Sequence, residues 1–138
     1  MSYDAFLTAF EQGESAGHGL GAMLRTLEPE IVLREDAEDG RVFVRIGADG
    51  HEADVYLGPG HGMVNHAGGR RNWDLLVRGC AAAGWVIMAP DIPVCLTHEE
   101  QGRHLPDDEM FADPVLVTSG DDLLRLVLGL GADEAVPD

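Results

Sequence analysis

An α+β fold, or a variant close to α/β, is predicted by three features of this 138-residue chain. Short alternating segments are punctuated by two Asp-Gly pairs. An apolar run without alternation, WVIMA, follows directly on an amphipathic helix. Helical periodicity recurs on either side of these strands. Together they predict a single mixed β-sheet with an N-terminal antiparallel meander, a βαβ-like second half and helices packed on the sheet. The length suits one core, so residues 1–138 are expected to form a single domain, with 131–138 a frayed tail.

The elements follow in order. Tyr3, Phe6, Leu7 and Phe10 recur at helical spacing with Asp4, Thr8 and Glu11 between them, which predicts a helix over 3–12. A weaker helix is expected over 20–28, ended by Glu28-Pro29, because a residue before proline is pushed out of the helical region. The meander comes next: IVLRED, turn AEDG, RVFVRIG, turn ADGH, EADVYLG. If Asp49 and Gly50 form a two-residue loop, Ile46 faces Ala53, Val44 faces Val55 and Val42 faces Leu57. The other face then pairs Arg45 with Asp54 and Phe43 with Tyr56. The same rule applied to Asp39-Gly40 would set Glu35 opposite Val44, so that loop is expected to be longer.

The stretch YLGPGHGMVNHAGGRRNWDLL, residues 56–76, leads into the second half. Gly58-Pro59-Gly60 reads as a turn or bulge, GMVNHA as a short strand, and Asn72 as the cap of a helix over 73–83 that buries Trp73, Leu76, Val77 and Cys80. Gly84 stops the helix. WVIMA reads as a strand buried on both faces, completing a βαβ crossover, and PVCLT as a further short strand. A polar loop from His98 to Asp113 precedes the buried strand PVLVTS. Ser119 and Asp122 form a capping box for a last helix over 120–130.

Composition narrows the function classes. Twenty-five acids face nine basic residues, all arginine, for a formal charge of −16. Such a surface is unsuited to nucleic acid, which is gripped through its phosphates, and suits a basic protein partner. No span-length apolar window is present, and MSYDAF has neither a basic n-region nor an apolar core. The chain is therefore expected to be cytoplasmic, without membrane contact. Cys80 and Cys95 are expected to be buried, reduced thiols.

Candidate sites are few. Gly68, Gly69, Arg70 and Arg71 precede a helix, and with His66 they make a candidate anion site, since backbone N–H groups and the helix dipole would meet the ligand. The spacing matches neither a P-loop nor a dinucleotide fingerprint, and the alternative is a connection whose arginines pair with acids. Cys95-x-x-His98 and the His98/His104 pair match no zinc signature, though folding could gather His61, His66, Cys95 and His98 at one end of the sheet. Ser119 lacks the G-x-S-x-G setting of a nucleophile elbow, and Cys95 lies within a strand. No catalytic residue, metal or cofactor is assigned. Acids cluster at Glu35, Asp36, Glu38 and Asp39, and again at Asp107, Asp108, Glu109 and Asp113. The second group sits on the long loop and is the better candidate for docking a basic partner. The helix DDLLRLVLGL is apolar almost all round, which suggests a homodimer contact through Leu124 and Leu128, unless the chain covers that side itself.

These features predict a small acidic protein-binding module without an enzymatic role. It would be an inhibitor or toxin-immunity-like protein that occludes a basic partner. The alternative is a small-molecule or anion-binding domain or enzyme using the Gly/His/Arg-rich segment 58–72.

Overall fold

The computed structural model describes residues 3–47, 50–131 and 133–136. Ten strands and three helices follow in order: β1 (Tyr3–Thr8), β2 (Phe10–Glu11), β3 (Glu14–Ser15), α1 (Leu20–Leu27), β4 (Ile31–Asp36), β5 (Val42–Ile46), β6 (Ala53–Gly58), β7 (His61–Ala67), α2 (Arg70–Ala83), β8 (Val86–Met88), β9 (Cys95–Leu96), β10 (Val115–Leu116) and α3 (Gly120–Leu128). Eight strands form one mixed sheet in the order β10-β9-β8-β1-β7-β6-β5-β4, and β2 and β3 make a separate small hairpin. This is the α+β architecture the sequence predicts.

The meander has the expected register. Ile46 faces Ala53, Val44 faces Val55, Val42 faces Leu57, Arg45 faces Asp54 and Phe43 faces Tyr56. Gly50 has φ 79°, while Asp49, the other expected turn residue, lies outside the described residues. The β4–β5 connection is the longer loop foreseen, spanning 37–41 and closed by Ala37 N–H donating to the Arg41 carbonyl. The meander gains a fourth strand, because Pro59 and Gly60 form a tight hairpin between β6 and β7. Gly60 is required there by close approach: a Cβ would collide with the Ala16 carbonyl.

The N-terminal segment is the main correction. The expected helix over 3–12 is a strand, β1, in the interior of the sheet, antiparallel to both β7 and β8. Its burial has period two: Ala5, Leu7 and Ala9 are fully buried, while Phe6 between them is exposed. The large residues alone mimicked a helical stripe, and the small alanines carried the true pattern. Because β7 and β8 both oppose β1, they run in the same direction, so β7–α2–β8 is the expected crossover with β1 inserted between its strands.

The helices differ from expectation mainly at their ends. α1 gives way to a 3₁₀ turn at Glu28–Glu30. α2 begins at Arg70 from Gly69, a left-handed-side residue with φ 85° that a side chain would strain. Asn72 is therefore inside the first turn, not the cap. It is fully buried, with Nδ2 donating to the carbonyls of His51 and Gly68. Ser119 caps α3 as expected, its Oγ accepting from Asp122 N–H, but the reciprocal carboxylate bonds go to Thr118. The strand expected to be buried at PVLVTS is the sheet's edge, with Leu116 exposed. In the tail expected to fray, Val136 is buried against the core and Arg125 donates to the Glu134 carbonyl, while residues 132, 137 and 138 lie outside the described residues.

Two apolar clusters lie on opposite faces of the sheet. The main core joins Ala5, Leu7, Val44, Val55, Val64 and Ile87 of the inner face to Met23 and Leu27 of α1, Trp73, Leu76 and Cys80 of α2, and Leu123 and Leu124 of α3. The smaller cluster joins Val86, Val94 and Leu96 on the outer face to Phe10, Leu105 and Phe111. Thus the segment 98–113, expected to be a polar loop, folds as two 3₁₀ turns (Glu99–His104 and Glu109–Phe111) over the short strands β8 and β9. Gln101 fastens it. Its Oε1 accepts from the Thr97 and His98 amides, and its Nε2 donates to Thr97 Oγ1 and the Trp85 carbonyl.

Candidate functional site

Among the described residues no such cover lies over the rest of the outer face. The strand registers line up one residue per strand in a row across six strands: Glu35, Phe43, Tyr56, Met63, Phe6 and Met88. An antiparallel sheet with one solvated face should carry polar residues there. Here five of the six are apolar or aromatic, and Phe6 and Tyr56 are 52% and 44% exposed. The Phe43 and Tyr56 rings pack at 4.9 Å between centroids. On one side runs a polar row, Arg45, Asp54 and Asn65, which ends at the exposed, apolar Leu33 on β4. On the other lie Thr8 and His61. The result is an apolar belt one residue wide between polar borders. Together with the β4–β5 loop it forms an open trough of about 620 Å³, also lined by Glu35, Asp36 and Arg41.

Charge at this site is arranged by the strands. Arg45 Nε donates to Asp54 across the β5–β6 pair at 2.8 Å, and its guanidinium lies 6.0 Å from the Phe43 ring centroid. The hydrogen bond to Asp54 raises the Arg45 pKa. The Arg34 hydrogen bond lowers that of Asp36, and the Arg41 amide and side chain lower that of Asp39. Glu35, opposite Phe43, is exposed, and no ion pair engages it among the described residues.

The residues singled out in the sequence fall elsewhere. Gly69, Arg70 and Arg71 line a polar cavity of about 530 Å³ with His51, Asp74, Ser119 and Asp121, where the first turns of α2 and α3 meet. Gly120 N–H donates to Asp74, and Arg70 makes a two-pronged bond to Asp121 at 2.6 and 3.0 Å. That bond holds the Asp121 carboxyl below the usual carboxylate range. Arg71 lies 3.7 Å from Glu30. A resident carboxylate thus takes the arginine that an anion would use. His66 does not join them. Its backbone has φ 56°, its N–H donates to Asp4, and it lines a different cavity with Asp91 and the end of α3.

His61 sits at the start of β7 and His66 near its end, and His98 Nε2 is bonded to the Ala81 carbonyl, so these histidines are not gathered with Cys95 at one end of the sheet. No group of three potential metal ligands forms among the described residues. Burial raises both thiols, Cys95 to about 11 and Cys80 further, so neither is a thiolate at neutral pH. Asp107, Asp108, Glu109 and Asp113 are all exposed on the cover, and Asp108 also caps Met110 N–H. Leu124 is turned into the chain's own core against α2, while Leu128 remains half-buried. No helix among the described residues is long and apolar enough to cross a membrane.

The belt itself escaped sequence reasoning, apart from the Phe43–Tyr56 pair. Met63 is recoverable by continuing the register through the Pro59-Gly60 turn. Phe6 was hidden by the helical reading of β1. The fold and the belt define an α+β sheet domain with one half of its outer face uncovered. In comparisons with known proteins, the chain matches no family model, no curated protein and no solved structure.

Proposed function

We propose that the protein is a small acidic cytosolic protein-binding module that occludes a basic partner, in the manner of an enzyme inhibitor or a toxin-immunity protein. The bare outer half of the sheet is the docking surface. The observation that carries this reading is the row Phe43, Tyr56, Met63 and Phe6, displayed on a face where an isolated domain would carry polar side chains. The formal charge of −16, with Glu35 and Asp36 at the trough, selects a partner whose apolar patch is ringed by lysine or arginine. Acids on the cover, Asp107, Asp108, Glu109 and Asp113, add to the long-range field that steers the encounter.

The reading is tested by capturing partners with the tagged chain and with a Phe6→Ser/Tyr56→Ser variant, at low and high salt. The expected result is a basic protein held by the native chain, released as salt rises, and lost from the variant while the variant's thermal unfolding stays cooperative. A partner retained equally by the variant would move the docking surface elsewhere, and the absence of any basic partner would remove the reading. The alternative, anion binding through segment 58–72, has less support, because Arg70 is engaged by Asp121 and His66 lies in another cavity.

A further inference from the structure

We infer that the element the belt receives is an amphipathic α-helix of the partner, lying across the strands with arginine or lysine along the borders of its apolar stripe. The inference rests on the protein-binding reading above and adds the shape and chemistry of what is bound. The belt is narrow, since each strand contributes one residue and, apart from Leu33 at the β4 end, the adjoining residues on the same face are the polar Arg45, Asp54, Asn65, Thr8 and His61. A second sheet packing face to face would bring several parallel rows of apolar residues and desolvate those polar borders. A helix brings a single stripe with polar flanks. The lengths agree. Five inter-strand steps make the row about 24 Å long, which is the length of a helix of about sixteen residues.

The chain itself shows how this face is covered. On β8 and β9 the cover is helical, two 3₁₀ turns that lower Leu105 and Phe111 onto Val86, Val94 and Leu96. The row begins at Met88, which packs against that cluster, so a bound helix would continue the same layer across the remaining strands. Charge decides against a second copy as the occupant. Each copy carries −16, and Glu35 at the end of the belt has no arginine of its own row to meet. A helix bordered by arginine or lysine places a cation against Glu35, beside the Phe43 ring, which already accepts the Arg45 guanidinium.

The test uses two fluorescent peptides of about sixteen residues and identical leucine, alanine and arginine content. One places leucine at helical i, i+3, i+4, i+7 spacing, and the other alternates it. A third carries proline in the middle of the helical sequence. Anisotropy titrations use the full chain and the exposed-face variants Tyr56→Ser and Phe6→Ser. The helical peptide is expected to bind about tenfold or more tighter than the alternating and proline peptides, to gain helical circular dichroism on binding, and to lose about tenfold with either variant. Equal or tighter binding of the alternating peptide overturns the helix while leaving a basic partner in place. Failure of both arginine peptides to bind removes the basic-partner reading as well. Binding unmoved by Tyr56→Ser and Phe6→Ser shows attraction by charge alone and removes the belt as the seat. Sedimentation of the peptide-free chain as a dimer that Tyr56→Ser dissolves would assign the belt to a second copy.

Discussion

The two halves of the outer sheet face are built from similar side chains and meet different fates. On β8 and β9, Val86, Val94 and Leu96 are buried beneath Phe10, Leu105 and Phe111, and Phe10 meets Phe111 edge to face at 5.4 Å. On β1, β7, β6 and β5, the row Phe6, Met63, Tyr56 and Phe43 is left open. Strand length accounts for the difference. β8 and β9 are two or three residues long and share few backbone bonds, so they need a layer on each side. The meander strands are five to seven residues long and hold one another by complete ladders over a full inner core. Apolar residues on the short strands serve the fold. On the outer face of the long strands, Phe6 and Tyr56 stand exposed instead, where the proposed recognition would use them.

This contrast breaks if removing apolar atoms costs the same on both halves. The largest effect is expected from Leu96→Ala under the cover, a loss of about 2–4 kcal/mol in urea unfolding, because a cavity is left in a small cluster. A smaller loss, about 1–3 kcal/mol, should follow Gln101→Ala, since the Thr97 and His98 amides lose their acceptor. Both changes should also speed alkylation of Cys95 at pH 8 by loosening β9 from its outer side, since the thiol itself faces the main core, where burial pushes it up to about 11. Unchanged labelling would mean the cover does not guard that strand. On the bare half, Tyr56→Ser should shift stability by no more than about 1 kcal/mol, the share of one cross-strand ring pair. A loss as large as that of Leu96→Ala would make the belt structural.

The smallest effect concerns the two helix starts behind the sheet. Asp121→Asn should cost no more than about 1 kcal/mol near neutral pH, because the Arg70–Asp121 pair is about a third exposed. Its folded-state pKa is depressed by the Arg70 hydrogen bond, so the contribution is complete above the unfolded carboxyl value of about 3.9. It is lost as pH falls through the folded value. Unfolding curves of the native chain and the variant should therefore converge in acid. A gap that persists there would assign the effect to packing.

Much of this fold is legible in the sequence wherever local chemistry and long-range pairing agree. The Val42–Leu57 register follows from the two-residue loop expected at Asp49-Gly50 together with alternation, and Ser119 announces α3 by its side-chain cap. Legibility fails where tertiary placement decides. YDAFLTAF spaces its large apolar residues at helical intervals, and the slot between β7 and β8 makes it a strand. Its apolar pattern rests on alanines, which hydrophobic periodicity underweights. The belt is invisible for a related reason. Its members come from β1, β5, β6 and β7, and nothing local to any one of them tells that they share a row. The conspicuous GGRR stretch drew notice by composition, and much of its chemistry is spent on Asp121 and Glu30.

The interior position of β1 has a consequence for how the chain is made. It is synthesised before the other strands of its sheet, yet its hydrogen-bonding neighbours are β7 and β8. Val86, which pairs with Thr8, is translated about 80 residues later, several seconds at ordinary ribosomal rates. For most of that interval YDAFLT has neither partner, and once the β4–β7 meander has closed by neighbour-to-neighbour pairing it has β7 but still lacks β8. Completion of the sheet therefore waits on a non-local insertion, and the waiting strand is the point in biogenesis where this chain depends most on protection from aggregation.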